Sequence, residues 1–171
     1  MKATGIVRRI DDLGRVVIPK EIRRSLRIRE GAPLEIYVDQ SGGLILKKYS
    51  PLQEMADLVR DYVDSLSGKL NTPAFVVDHD GVVAAAGVDD DQSGWRETPR
   101  AVLECVEQRK SEVLSGEDQV WSYSECAVAP IIAEGDALGA VLVVAQEGQS
   151  ADLALKLAET AAGFLGRQIM L

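Results

Sequence analysis

Basic residues are concentrated near the beginning of the chain, and their chemistry suits the binding of a polyanion. Nine fall within the first 29 residues: Lys2, Arg8, Arg9, Arg15, Lys20, Arg23, Arg24, Arg27 and Arg29. Seven of the nine are arginine, whose planar guanidinium group makes bidentate contacts with phosphate and guanine that a lysine ammonium group cannot make. A run of charge is usually only a solvated surface. This run is local in an otherwise acidic chain, which favours a nucleic-acid partner.

Charge divides the 171-residue chain into two parts. Residues 1–50 contain eleven Lys and Arg against six Asp and Glu, a formal net charge of +5. Residues 51–171 contain eight against twenty-one, a net charge of −13, and the whole chain carries −8. This asymmetry predicts two domains with different partners, one over 1–50 and one over 51–171.

Motifs for catalysis or metal binding are weak. The sequence has no phosphate-binding glycine loop, no dinucleotide fingerprint and no zinc-ligand spacing. Its single histidine, His79, falls in a predicted exposed turn. The two cysteines, Cys105 and Cys126, lack C-x-x-C spacing, and acidic neighbours of Cys105 disfavour a reactive thiolate. We therefore expect no enzymatic activity, cofactor or metal.

The elements that must position the arginines are short and mostly extended. Strands are predicted over 4–10 and 15–18, joined by a turn at 11–14, and a helix follows over 19–26. Two further strands, over 33–39 and 44–49, flank the hairpin signal at 40–43. Fifty residues bury little core, and this part of the chain has no cysteine or histidine for a disulfide or metal. The pattern therefore predicts an obligate homodimer.

The second domain opens with a helix signal. Ser50, Pro51 and Gln53 fit a capping box, which begins a linker helix over 51–69. Its apolar residues follow a heptad spacing that indicates helix pairing, and we assign them to oligomerisation: Leu52, Met55, Val59, Tyr62 and Leu66.

The remaining pattern predicts an antiparallel sheet flanked by helices. Strands are expected over 74–78, 82–86, 127–133 and 138–146, helices over 99–110 and 151–170, and a polar loop over 118–125. The longest apolar run, over 137–145, has nine residues, whereas a membrane span needs about 20. We expect a cytoplasmic protein.

The residues of the first domain carry a specific resemblance. The motif Gly-Arg-Val-Val-Ile-Pro at 14–19, within a match that runs from Lys2 to Tyr49, resembles the DNA-binding domain of AbrB-type transition-state regulators. In the second domain, residues 128–133, 135–136 and 139–141 resemble the late hairpin of a GAF-like domain, and 159–165 resemble its final helix. The layout is similar to family members that join these two domains.

The resemblance implies an α+β fold with an N-terminal swapped-hairpin β-barrel formed by two chains and a C-terminal GAF-like antiparallel sheet flanked by helices. It implies binding of double-stranded, AT-rich DNA through Arg8, Arg15, Arg23 and Arg24, with Lys2 and Arg9 as further candidates. It also implies a homotetramer, held by helices of the C-terminal domains, and control of transcription in spore development at the nucleoid. It assigns no small-molecule ligand.

Two alternative functions remain open at this point. Antitoxins of a related barrel type bind DNA and wrap a toxin with a disordered acidic tail, but residues 51–171 are patterned for a folded core. Some GAF-fold proteins reduce methionine sulfoxide with cysteines, and Cys105 and Cys126 are the candidates for such thiol chemistry.

Overall fold

A computed structural model of the chain describes residues 4–89 and 97–169, with the side chains of 117–119 left out. The chain forms two compact units, Met1–Tyr49 and Ser50–Leu171. Within the described ranges, no helix has both the length and the apolar character that a membrane span requires.

The N-terminal unit consists of one helix and one hairpin. Helix α1 spans Lys20–Ser25, and strands β1 (Leu34–Val38) and β2 (Leu44–Lys48) pair antiparallel. Between the strands, the Asp39 backbone N–H donates to the Gly43 carbonyl at 2.8 Å, and Gly42 adopts a positive φ of 87°. The predicted helix and hairpin are confirmed, with slightly shorter elements.

The strands predicted over 4–10 and 15–18 are wrong for the single chain. The turn between them is present, because the Asp11 backbone N–H donates to the Arg15 carbonyl at 3.0 Å and that of Gly14 donates to Asp11 at 3.1 Å. The flanking residues have no ladder hydrogen bonds that define a strand. A strand needs a neighbour for its backbone groups, and within 4–49 the described strand pair is β1 with β2.

Apolar side chains of the N-terminal unit are largely in contact with solvent. Pro19 is the only buried residue within 4–49. Val7 is 84% exposed and Val38 is 77% exposed, and further large hydrophobic residues share this exposure: Ile10, Leu13, Val16, Val17, Leu26, Ile36, Leu44 and Leu46. A single copy of this unit therefore has no hydrophobic core of its own.

The C-terminal unit is an antiparallel sheet between helices. Its elements are α2 (Pro51–Glu54), α3 (Ala56–Leu70), β3 (Ala74–Asp78), β4 (Val82–Ala86), α4 (Arg100–Gln108), β5 (Glu112–Val120), β6 (Tyr123–Ala133), β7 (Asp136–Val144) and α5 (Ala151–Ile169). The five strands lie in the order β4-β3-β7-β6-β5, with every neighbouring pair antiparallel. The predicted antiparallel sheet flanked by helices is confirmed.

The sequence predicts four strands for the C-terminal unit, whereas the structure has five within its described residues, because β5 was not expected. Two further differences concern the linker helix and the predicted loop. The linker helix is interrupted at Met55, whose ψ of 20° leaves the helical range and separates α2 from α3. The loop predicted over 118–125 is wrong, because β5 and β6 continue through it around a turn in which Trp121 has a φ of 53°. β5 is an edge strand, and pairing with β6 overrides the weak strand propensity of its polar residues.

The sheet buries both of its faces. On one face, α3 and α5 contribute Val59, Val63 and Leu165 to a core with alternate strand residues. On the other face, α4 contributes Val102 and Val106, which pack with Phe75 and its neighbours. Alternation along each strand explains the two cores, since successive strand side chains point to opposite faces.

Helix α5 approaches β6 very closely. A Cβ atom at Gly166 would overlap the carbonyl oxygen of Ile132, whereas a Cβ at Gly163 would meet nothing within 4 Å. Tyr62 of α3 and Phe164 of α5 stack with their ring centroids 5.2 Å apart. These contacts fix the two helices on the same face of the sheet.

Candidate nucleic-acid interface

The predicted DNA-binding arginines are all exposed, and they fall into two local groups. Arg8 and Arg9 precede the turn at residues 11–14 and Arg15 follows it, whereas Arg23 and Arg24 occupy the last turn of α1. Lys2, the remaining candidate, lies outside the described residues. The exposed arginines leave a positive surface that solvent, or a polyanion, can reach.

Asp11 organises the turn and orients Arg15. Its Oδ1 accepts hydrogen bonds from the backbone N–H groups of Leu13 at 3.0 Å and Arg15 at 2.8 Å, and its Oδ2 accepts from Arg15 Nε at 2.8 Å. Backbone and side-chain hydrogen bonds from Arg15 hold the pKa of the Asp11 carboxyl below its usual range. The Arg15 side chain stays 72% exposed, so this ion pair directs the guanidinium group without burying it.

A backbone contact orients Arg23 as well. Pro19 precedes α1 with a φ of −58°, the value to which its ring restricts it. Arg23 Nε donates to the carbonyl oxygen of Ile18 at 3.1 Å, which draws the side chain back towards the beginning of the helix. Glu21 in the first turn and Arg23 and Arg24 in the last turn complement the helix dipole.

These contacts give the arginines the chemistry of a phosphate-binding surface. A guanidinium group that is held at Nε still has other N–H groups with which to donate to phosphate oxygens. Phosphate contacts of this kind fix the register of a protein on DNA, whereas contacts with base edges or with DNA shape select the sequence. Sequence reasoning identified the arginines but missed Asp11 as a positioning residue; the signal was its place four residues before Arg15 across a glycine turn.

The residues predicted for oligomerisation lie in the core of the chain itself. Leu52 and Val59 have no exposed surface, whereas Met55, Tyr62 and Leu66 are half-buried against the same core. The heptad spacing therefore describes packing on the sheet and α5. Participation of these residues in a contact between chains stays a prediction.

A buried carboxylate ties the beginning of α2 to the sheet. Ser50 caps α2, since its Oγ accepts from the Gln53 N–H at 3.4 Å, and it donates to Asp78 Oδ2 at 3.0 Å. Asp78 Oδ1 accepts from the backbone N–H groups of Asp80 at 2.8 Å and Gly81 at 2.9 Å. The Ser50 cap predicted from the sequence is confirmed; its link to Asp78 was not predicted.

The cysteines lie in an environment that suppresses thiol chemistry. Cys105 and Cys126 are 2% and 1% exposed and unpaired with each other. Burial, with smaller contributions from Glu112 for Cys105 and from Cys105 for Cys126, raises the pKa of each thiol to about 12. Thiolate is the reactive form, so both groups are poor nucleophiles near neutral pH.

Other candidate reactive groups are few in the part of the chain that the structure describes. His79 is exposed in the turn between β3 and β4, as predicted. No cluster of three or more His, Cys, Asp or Glu side chains that could hold a metal ion occurs among the described residues.

An arginine-rich unit joined to a separate α+β unit is the organisation of a two-domain transcription regulator. The chain belongs to the stage V sporulation protein T family: the family model for the C-terminal domain of that transcription factor matches residues 54–170. It is 44% identical to stage V sporulation protein T of Bacillus subtilis (strain 168) over 178 aligned residues, which cover 99% of each chain.

The N-terminal unit has its own relatives. Over 73 residues the chain is 52% identical to the transition state regulatory protein AbrB of Bacillus subtilis (strain 168), covering 41% of this chain and 75% of that protein. The family model for the bacterial antitoxin MazE, described as antidote-toxin recognition, matches residues 7–54. The resemblance to AbrB-type regulators is thereby confirmed.

Solved structures resemble the fold of the C-terminal unit. The GAF domain of Acinetobacter phosphoenolpyruvate-protein phosphotransferase has a TM-score of 0.54 and 13% identity, covering 70% of this chain and 87% of that one. The type II free methionine-R-sulfoxide reductase of Thermoplasma acidophilum has a TM-score of 0.55 and 12% identity, covering 69% and 94%. At these identities the likeness concerns fold alone, and it confirms a GAF-like sheet.

Proposed function

We propose that the chain is a DNA-binding transcription regulator of spore-development genes that acts at the nucleoid. Its N-terminal unit binds double-stranded DNA. The proposal assigns the contacts to Arg8, Arg15, Arg23 and Arg24, with Lys2 and Arg9 as further candidates. The observation that carries it is the pair of oriented, exposed guanidinium groups, Arg15 held by Asp11 and Arg23 held by the Ile18 carbonyl, in a unit of net charge +5. The similarity to AbrB over this unit supports the same function.

The N-terminal unit acts as a homodimer in this proposal. In the register of β1 and β2, Ile36 lies opposite Leu46 and Val38 opposite Leu44, so these four exposed side chains share one face of the hairpin. Val7, Ile10, Val16 and Val17 are exposed as well. A second copy of the unit can cover this apolar surface, with residues 4–10 and 15–18 pairing as strands in a swapped-hairpin barrel.

The C-terminal unit joins two such dimers into a tetramer in this proposal. Leu58 on α3 and Leu153 on α5 are 40% and 52% exposed, and Met55, Tyr62 and Leu66 are only partly buried. Sedimentation equilibrium of the full chain tests both contacts. The mass of a tetramer is expected, and a monomer at micromolar concentration would refute them.

An antitoxin function is the second candidate, because the MazE model matches residues 7–54. The toxin-wrapping tail of such a protein is disordered, whereas residues 50–171 form a folded unit with a core on each sheet face. Reductase chemistry is disfavoured by the raised thiol pKa values. Both considerations support a regulator without enzymatic activity.

DNA binding across a salt series tests the proposed function. Four arginines in each of two chains make up to eight phosphate contacts, so the slope of log affinity against log salt should be about −7 at roughly −0.9 per contact. Arg15→Ala and Arg23→Ala should each flatten the slope by about 1.8, since each removes two contacts per dimer. The control is Arg100→Ala, whose side chain is 92% exposed in the C-terminal unit and ion-paired with Glu104.

The readout is fluorescence anisotropy with labelled duplexes of equal length, one AT-rich and one GC-rich. We expect tighter binding of the AT-rich duplex, because deformability and groove width depend on sequence. Circular dichroism first checks that Arg15→Ala and Arg23→Ala are folded. If the folded variants keep the wild-type salt slope, the assignment of these two residues is refuted.

A further inference from the structure

Two helices of the chain end in the same backbone arrangement, with an arginine where glycine is usual. At the end of α1, Arg27 has a φ of 54°, its N–H donates to the Arg24 carbonyl at 3.2 Å, and that of Ile28 donates to the Arg23 carbonyl at 2.8 Å. This pattern is a Schellman motif, whose left-handed residue is most often glycine because a Cβ atom is disfavoured there.

The end of α4 has the same motif, and a side-chain hydrogen bond accompanies the arginine at its left-handed position. Arg109 also has a φ of 54°, its N–H donates to the Val106 carbonyl at 3.1 Å, and that of Lys110 donates to the Cys105 carbonyl at 3.0 Å. Its Nη2 donates to the carbonyl oxygen of Gly135 at 2.5 Å. The arginine at this strained position therefore links two elements of the C-terminal unit.

Arg27 occupies the equivalent position beside the proposed DNA-binding arginines. Its backbone hydrogen bond to Arg24, and that of Ile28 to Arg23, place it directly at the end of α1 that carries those two exposed side chains. Its own side chain is exposed. Arg24 in the last turn and Arg27 just after it thus place two exposed arginines at the end of α1 where the helix dipole also favours positive charge, while the Arg23 guanidinium group turns back towards Ile18.

We propose that Arg27 is a further DNA-contact residue, which extends the phosphate-binding surface of Arg23 and Arg24 beyond the end of α1. The inference rests on the proposed function of the N-terminal unit. A guanidinium group at this position binds phosphate. This role accounts for an arginine at a left-handed backbone position where glycine is usual.

Two substitutions of Arg27 test the inference and suit the left-handed backbone at this position. Arg27→Gly and Arg27→Asn both remove the charge, and glycine and asparagine are the residues that adopt the left-handed conformation most readily. Arg109→Gly is the matched control, because it makes the same change in the same motif within the C-terminal unit. All three are compared with the wild-type full chain by anisotropy with the AT-rich duplex across a salt series.

Both Arg27 variants should flatten the salt slope by about 1.8 and weaken binding by roughly 10- to 60-fold at 0.1 M salt, since two contacts per dimer are lost. Their melting temperatures measure any structural role of the Arg27 side chain separately from the salt slope. Arg109→Gly should keep the wild-type slope.

A role confined to the helix end would change the melting temperature and leave the slope at its wild-type value, which would overturn the inference. Parallel measurements on Arg15→Ala and Arg23→Ala separate the two proposals. If those variants flatten the slope and the Arg27 variants do not, only Arg27 is misassigned. If the wild-type chain shows no salt-dependent binding, the proposed function itself fails.

Discussion

Replacing Asp78 with alanine should destabilise the C-terminal unit by releasing the beginning of α2 from the sheet. The Asp78 side chain is buried, with 7% exposure. It accepts from the backbone N–H groups of Asp80 and Gly81, from Ser50 Oγ at 3.0 Å and from Gln53 Nε2 at 3.4 Å. Alanine would remove the acceptor for all four donors.

The size of the effect follows from the surroundings of each donor. The N–H groups of Asp80 and Gly81 lie in a turn that water can partly reach, so their loss should cost about 1 kcal/mol each. The half-buried Ser50 hydroxyl should add about 1 kcal/mol, and the long bond from exposed Gln53 should add little. Relief from burying a carboxylate offsets part of the sum, which leaves a net loss of about 2–3 kcal/mol.

Two milder variants calibrate that loss. Asp78→Asn keeps an oxygen for the two backbone donors and should cost about 1 kcal/mol. Ser50→Ala removes one helix cap and one bond to Asp78, and should also cost about 1 kcal/mol. An alanine variant no less stable than these two would contradict the additive reasoning.

Urea unfolding followed by tryptophan fluorescence measures these differences. Both tryptophans, Trp95 and Trp121, belong to the unit that begins at Ser50, so the signal reports that unit and not the arginine-rich one. The expected order of urea midpoints is wild type, then Asp78→Asn and Ser50→Ala together, then Asp78→Ala. A wild-type midpoint for Asp78→Ala would refute the assigned role.

Two further predictions concern the interior of the same unit. Gly163→Ala should stabilise α5 by about 1 kcal/mol, whereas Gly166→Ala should destabilise the unit by about 1–3 kcal/mol because its Cβ meets the Ile132 carbonyl oxygen; equal melting temperatures would contradict this difference. Because the folded pKa of Cys105 and Cys126 is raised to about 12 from 9.0, the contribution of these two thiols to the unfolding free energy should be constant well below pH 9 and fall as the pH rises from 9 towards 12. Urea titrations at pH 8 and pH 10 check this, with the Cys105→Ala and Cys126→Ala double variant expected to lose less stability.

Elements with strong local signals were predictable from the sequence. The hairpin of β1 and β2 has a glycine turn, α2 has the Ser50 cap, and β3 and β4 have the predicted bounds 74–78 and 82–86. Each depends on residues within a few positions of one another. The strand course over 118–125 was missed because β5 is a polar edge strand, in which hydrogen bonding to β6 across a tight turn outweighs weak residue preferences.

The candidate interface was predictable in composition and not in geometry. Clustering of the arginines is visible in the residue order, and all of those within the described residues are exposed. The bond between Asp11 and Arg15 and the positive φ of Arg27 depend on backbone dihedral angles, which residue types constrain only weakly. The strands over 4–10 and 15–18 require a neighbour that one chain does not supply, so residue preference alone does not form them.

The scarcity of buried residues in the N-terminal unit has a consequence for dosage in the cell. With Pro19 as the only buried residue within 4–49, the proposed dimer core comes into being only when two chains meet. When the cell contains few chains, the concentration of the DNA-binding dimer rises with the square of the chain concentration. A modest rise in synthesis of the chain then produces a larger rise in operator occupancy. A chain whose arginines are damaged would still supply its half of the core, and would therefore act as a dominant inhibitor of intact copies.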